Sequence, residues 1–145
     1  MPAQPLVQNY STQQIFLGNN WDKDETYNNT TGSAVTVLAG TVMGTIFTSG
    51  YTLGLVSTAT DGSQWPKGIC RETTIIPANS TGVVNVVYSG EVNSNAIIFS
   101  NGTDTLATTI GAEATNGGSL ADMITANTQI KLVASVELTI QDPNQ

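Results

Sequence analysis

The chain has 145 residues, 11 acidic and four basic side chains, and a formal net charge of −7. This length indicates one domain that is large enough to bury a core without disulfide bonds. Because so few cations cannot form the clustered basic surface that phosphates attract, we expect neither nucleic acid nor an anionic membrane as a partner.

The residue types that most often carry catalysis are scarce. There is no histidine, and the single cysteine, Cys70, lies in a stretch typical of a buried strand. Zinc lacks its usual ligands, and the glycines at residues 40–44 lack the Lys and Ser/Thr of a phosphate loop. We therefore predict that the protein is not an enzyme and uses no cofactor or metal.

The sequence also shows no pattern typical of a membrane span or a signal peptide. No stretch has the 18 or more apolar residues of a membrane span, and residues 1–6 lack the basic and apolar regions of a signal peptide. Together with the lone thiol, this predicts a protein that matures in a cytoplasm.

Residues 1–31 differ from the rest of the chain. They show no helical or alternating period, and their polar run at residues 19–29 resembles a loop. Their large apolar side chains are costly to leave in water, so we expect an extended N-terminal arm that packs on this protein or on a partner. The candidate contact residues of this arm are Tyr10, Ile15, Phe16, Leu17 and Trp21.

Three acidic residues, Asp22, Asp24 and Glu25, lie close together within this arm. The simplest interpretation is a solvated loop. Paired carboxylates can also serve acid–base catalysis, and clustered oxygens can bind calcium, so both remain as weaker alternatives.

From residue 32 to residue 145 the pattern is that of a β-rich domain. We predict strands at residues 34–38, 42–47, 51–56, 68–76, 83–88, 95–99 and 129–140, while residues 105–110 fit either a strand or a loop. Asp61 and Gly62 have the form of a hairpin turn. Ser119 followed by Asp122 predicts a short helix to about Asn127. The frequent turns favour a mainly β sandwich or small barrel with at most one or two short helices.

Trp65 precedes a proline in a loop. We consider three roles for its side chain: it caps one end of a barrel, it contacts a neighbouring subunit, or it stacks on a sugar. The sequence favours the first role and leaves the other two open.

Three short segments carry a resemblance to a known family. They read Ala-Gly-Thr-Val-Met-Gly at residues 39–44, Thr-Asp-Gly-Ser-Gln-Trp-Pro-Lys-Gly-Ile at residues 60–69, and Val-Tyr-Ser-Gly-Glu-Val at residues 87–92. This pattern resembles the head decoration, or capsid cement, proteins of tailed bacteriophages, the lambda-D-like family.

The resemblance implies a structural virion protein on the outer surface of a capsid assembled in the host cytoplasm. Such proteins form trimers at three-fold sites, and their extended arms lie across the major capsid protein, which bridges and stabilises its subunits. In that interpretation the arm residues above are the capsid contacts, and Trp65 is a possible subunit contact. The family pattern itself assigns no individual binding residues.

One other class of function stays open. A lectin-like or receptor-binding β-domain of a phage fibre or cell surface would use Trp21 or Trp65 to stack on a sugar. About fifty residues follow residue 92, more than the smallest decoration proteins require, and they could form a trimer contact, an outward knob or a foot for a fibre.

Overall fold

The computed structural model describes residues 14–110 and 118–134, and within these ranges the fold is mainly β. The described strands and the helix are β1 (Phe16–Asn29), β2 (Val35–Val37), β3 (Val42–Thr45), β4 (Thr52–Gly54), β5 (Pro66–Cys70), β6 (Thr74–Ile76), β7 (Ser80–Asn93), α1 (Leu120–Asn127) and β8 (Gln129–Val133). The predicted fold class is confirmed in the form of a sandwich-like domain rather than a closed barrel.

The main sheet has the strand order β1-β7-β5-β3-β4, and β8 pairs in parallel with the last part of β7. β7 therefore pairs with three strands, with β1 along its whole length on one side and β5 followed by β8 on the other. β2 and β6 form a separate two-stranded antiparallel sheet.

The main sheet is covered on both sides by apolar side chains. Neighbouring residues point to opposite sides: Val42 belongs to one buried cluster and Met43 to the other, as alternation along a strand requires. The helix side contains the larger cluster, which includes Val42, Leu55, Ile69, Val92, Phe99, Ile110, Leu120, Ile124 and Ile130. The strand side contains the smaller cluster, which includes Val37, Met43, Cys70, Ile76, Val84 and Val86. The domain thus has a helix on one side of the main sheet and the β2–β6 pair on the other.

The prediction of a loop at residues 19–29 was wrong. These residues belong to β1, which pairs with β7 from Phe16↔Val92 to Asn29↔Ser80. β1 is an edge strand with polar residues on both faces, so its period is weak in the sequence. Residues 1–13 lie outside the described residues, and the division of the chain at residue 31 stays a prediction.

Two other predicted strands were wrong in extent. The stretch at residues 68–76 is divided between β5 and β6, which belong to different sheets. The stretch at residues 95–99 begins as a 3-10 turn, Ser94–Ala96, and contributes one isolated bridge between Ile98 and Thr41. In both places the apolar residues continue past the point where the backbone leaves the strand, so the sequence pattern does not show where the strand ends.

The Asp-Gly turn is not a hairpin. β4 and β5, which flank it, lie on opposite sides of β3 and do not pair with each other. Asp61 instead accepts hydrogen bonds from the backbone N and the Oγ of Ser63, and Gly62 has a φ of 104°. The signal correctly indicated a tight turn, but the strands it joins are separated by β3.

The C-terminal predictions were more accurate. Ser119 caps α1 by accepting a hydrogen bond from the Asp122 backbone N at 3.2 Å, as the capping pattern predicted. β8 follows with Ile130 buried between exposed neighbours. Residues 135–140 of the predicted strand lie outside the described residues. In the two described ranges, no helix is long and apolar enough to cross a membrane.

Candidate functional site

The start of β1 is fixed to the domain by Asn93, a completely buried residue. The backbone N of Asn93 donates to the Ile15 carbonyl at 2.8 Å, and its Nδ2 donates to the Gln14 carbonyl at 3.0 Å. Ile15 and Phe16 are partly buried against the larger core cluster. The chain is therefore held in a defined position at residues 14–16.

Both ends of the described chain meet at this point. β1 begins beside the end of β7, and β8 ends where Val133 pairs with Asn93. We call this place the terminal end of the sheet, defined by Gln14, Asn93 and Val133. Residues 1–13 and 135–145 both connect to the domain here.

The predicted arm contacts therefore divide into groups. Ile15 and Phe16 pack against the domain's own core, and Leu17 is half-buried. Trp21, beyond a bulge in β1, is 67% exposed. Tyr10 lies outside the described residues. A contact role for these side chains stays a prediction, and Trp21 has the most surface to offer.

Trp65 is partly buried and packs against the larger core cluster. It also lines an open cavity of about 480 Å³ together with Phe47, Lys67 and other residues. This position fits a side chain that closes one end of the domain while leaving part of its ring accessible. Its role as a subunit contact stays a prediction.

The acidic run of the arm does not form one cluster. Asp22 is ion-paired with Arg71 at 2.6 Å, and the Nδ2 of Asn85 donates to both Asp22 and Asp24, at 3.3 and 3.0 Å. Glu25 is instead paired with two lysines. Among the described residues no group of three or more His, Cys, Asp or Glu side chains could hold a metal ion, so the calcium alternative gains no support.

Cys70 is completely buried in the smaller cluster, and its Sγ donates to the Glu72 carbonyl at 3.2 Å. Burial raises the pKa of this thiol, which keeps it protonated and poorly nucleophilic. The expectation of a buried structural side chain is confirmed.

The three family segments contact one another through glycines. A Cβ at Gly44 would collide with the backbone of Ser63, which joins the first segment to the second. A Cβ at Gly68 would collide with the Val87 carbonyl, which joins the second segment to the third. Only glycine permits these close backbone approaches. The segments thus form one connected structural unit.

A family comparison agrees with this unit. The model of the bacteriophage lambda head decoration protein D family matches residues 16–119, well over half of the chain. The chain belongs to this family. A comparison with curated proteins found no significant match.

Membership in the decoration protein family gives the chain a structural role in binding the phage capsid and a place in the virion. The family is not a family of enzymes. The matched range begins at the first residue of β1 and ends immediately before α1, so α1 and β8 lie beyond it.

Proposed function

We propose that this protein binds the outer surface of a phage capsid through the major capsid protein, as a homotrimer at three-fold sites. By bridging neighbouring capsid subunits it would resist the internal pressure of packaged DNA, and it would join capsids assembled in the host cytoplasm. The family match over residues 16–119 carries this proposal.

The proposed capsid contact starts from the terminal end of the sheet. Thirteen residues precede Gln14 in this sequence, and an extended segment of that length reaches at most about 45 Å. Since Asn93 fixes residues 14 and 15, the segment starts from a rigid point. We infer that Ile15 and Phe16 anchor the arm to its own domain, while Tyr10 lies in the part that reaches the capsid.

Strand addition is the contact mode that this arrangement favours. An extended arm can add backbone hydrogen bonds to a capsid sheet, while alternate side chains fill pockets. Half-buried Leu17 and exposed Trp21 lie on β1 beyond the anchor and could extend the contact area.

The test compares the full chain with a variant that lacks residues 1–13, using expanded phage shells from which the decoration protein has been removed. The cut belongs at residue 13 because a cut at residue 31 would also remove β1 from the main sheet. We expect the shortened protein to keep its circular dichroism spectrum and to lose shell binding. Undiminished binding by the shortened protein would contradict the anchor role.

A point variant sharpens this test. Tyr10→Ala should weaken shell binding, whereas Gln13→Ala, a polar residue of the same segment, should not. Light scattering of the free protein, and its copy number on saturated shells, then test the trimer separately. A monomer in both states would contradict the trimer and leave capsid binding intact.

A further inference from the structure

The chain around the terminal end of the sheet carries no charged side chain. The sequence has 11 acidic and four basic residues, and none of them lies in residues 1–21 or in residues 92–103. Residues 16–21 form the start of β1, and residues 92 and 93 end β7 beside it. The place from which the proposed arm leaves is therefore uncharged, although the formal net charge of the chain is −7.

The charges nearest to this place are balanced. Glu91 and Lys131 are register partners on β7 and β8, and their charges are opposite. Further along β1, its three acidic residues are matched in number by Lys23, Lys67 and Arg71, each of which lies 2.6 to 3.5 Å from a carboxylate of β1. The other acidic residues of the described ranges lie in loops or on α1, at Asp61, Glu72, Asp104 and Asp122. Together with their ion-pair partners, the strands that meet at the terminal end thus carry no net charge.

The side chains exposed at this place offer hydrogen bonds and apolar contact instead. Gln14 and Asn19 are exposed, and each amide can both donate and accept. Trp21 is 67% exposed and adds aromatic surface. Since β1 is an edge strand of the main sheet, its outer edge also presents backbone N–H and C=O groups that the sheet does not pair. We call residues 14–21 with this outer edge the uncharged edge.

The uncharged edge restricts the kind of partner that can bind it. A partner charge buried against this edge would lose its hydration and meet no opposite charge, which opposes binding. An extended segment with uncharged side chains instead supplies backbone donors and acceptors that match the edge and the amides of Gln14 and Asn19. Charge complementarity therefore favours an uncharged strand as the partner.

We propose that the uncharged edge docks on an extended, uncharged segment of the major capsid protein, and that ionic attraction does not drive this contact. The inference rests on the proposed function and adds to it the chemistry of the capsid surface that is recognised. It also predicts how attachment responds to salt. Ionic contacts weaken as salt screens them, whereas apolar contacts and hydrogen bonds between uncharged groups are not screened in this way.

The first test measures binding of the full chain to expanded shells without decoration protein at about 50 mM and about 500 mM NaCl, a range in which the screening length falls from about 14 Å to about 4 Å. The shells are kept sparsely occupied, so that repulsion between acidic neighbouring copies does not enter the result. We expect the dissociation constant to change less than about fivefold between the two salt concentrations, because no ion pair is lost. A larger change in either direction would overturn the inference.

Charge insertion tests the location of the contact. Asn19→Asp and Asn19→Lys each place one charge in the uncharged edge, and both should weaken shell binding about tenfold or more, because that charge is buried without a partner. Asn19→Gln keeps an amide and should bind within about twofold of the unchanged protein. Thr30 is the matched control position, since it is exposed and follows the opposite end of β1. Thr30→Asp and Thr30→Lys change the net charge equally and should leave shell binding unchanged.

Three outcomes of charge insertion would overturn the inference. If one Asn19 charge variant weakens binding and the other strengthens it, the partner surface is charged. If both bind as the unchanged protein does, the uncharged edge lies outside the contact. If the Thr30 variants lose as much binding as the Asn19 variants, net charge decides binding instead of the edge. Thermal unfolding of each variant checks that it is folded.

Failure of the proposed function is recognised separately. That function requires the unchanged protein to bind shells and the protein without residues 1–13 to lose this binding. If the unchanged protein ignores shells at both salt concentrations, the function and the uncharged contact are both wrong. If it binds strongly and the higher salt concentration abolishes binding, only the uncharged contact is wrong.

Discussion

The two sides of the main sheet are covered by different parts of the chain. On the helix side, the larger cluster includes Leu120 and Ile124 of α1 and Ile130 of β8, and Ile15 and Phe16, at the start of β1, pack against this cluster. The strand side is covered by β2 and β6, and its buried cluster and packed neighbours come from residues 27–86. The cluster on the helix side therefore brings together residues from near both ends of the described chain. The cluster on the strand side joins residues that are closer together in the sequence.

This difference links stability to the terminal end. Since the start of β1 and the end of β8 both contribute to the helix side, a destabilising substitution there should increase local unfolding at the terminal end. A destabilising substitution on the strand side should lower the overall free energy of unfolding without a preferential effect at the terminal end. Local opening of this kind can be measured by hydrogen exchange.

The largest effect should come from Ile124→Ala. Ile124 is 1% exposed in the larger cluster, and the truncation should cost about 3 kcal/mol of unfolding free energy, through lost burial and a cavity. Urea unfolding measures the loss, with exposed Thr125→Ala as a control that should stay within about 0.5 kcal/mol of the unchanged protein. Hydrogen exchange should show amides of α1 and β8 losing more protection than those of β2 and β6. Equal losses on both sides would contradict the division.

A smaller effect is expected from Asn29→Ala on the strand side. Asn29 is 2% exposed, and its Nδ2 donates to the carbonyls of Ser33, Ile76 and Pro77 at 2.8 to 3.1 Å. It therefore ties the end of β1 to the end of β6. Its removal leaves carbonyl groups without this donor and should cost about 2 kcal/mol.

Asn28→Ala is the matched control for that variant, because Asn28 is a less buried amide at the preceding position. Urea unfolding should show little change for the control. Hydrogen exchange for Asn29→Ala should show protection lost first in β2 and β6, not at α1. Protection lost first at α1 would mean that the two sides open together.

The sequence predicted best where structure depends on nearby residues. Ser119 and Asp122 define the start of α1 within a single turn, and alternation identified β8 together with its buried Ile130. β1 could not be predicted in this way, because its partner β7 is more than fifty residues away and its own side chains are polar on both faces. Likewise, the break between β5 and β6 could not be predicted, because the two strands pair with distant strands in two different sheets.

The two β-bulges in β5 and β7 could not be predicted for a related reason. The bulges at Lys67 and Tyr88 exist only relative to partner strands, so neither residue has a distinctive local pattern. The clustered carboxylates of the arm were visible in the sequence. Their separation, with Asp22 bound to Arg71 and Glu25 to two lysines, follows from alternation on a strand whose polar sequence resembles a loop.

The smallest expected effect is a pH dependence from Asp104, in the loops of the helix side. Partial burial alone would raise the pKa of Asp104, but hydrogen bonds from Ser57 and Asn101 outweigh burial and lower the pKa below its ordinary value. The Ser57 backbone N and Oγ donate to the carboxylate at 2.8 and 2.6 Å, and Asn101 Nδ2 donates at 2.9 Å. The charged form is thus favoured in the folded state.

Because the folded pKa lies below the unfolded value of about 3.9, Asp104 stabilises the fold above that pH. This contribution is lost as the pH falls through the folded pKa. We therefore expect Asp104→Asn to be less stable than the unchanged protein at about pH 6, and this gap to narrow toward about pH 3. Urea unfolding at both values measures the gap. A difference in unfolding free energy that stays constant, or widens in acid, would contradict this expectation. It would show that the hydrogen bonds from Ser57 and Asn101 stabilise the fold independently of the charge on Asp104.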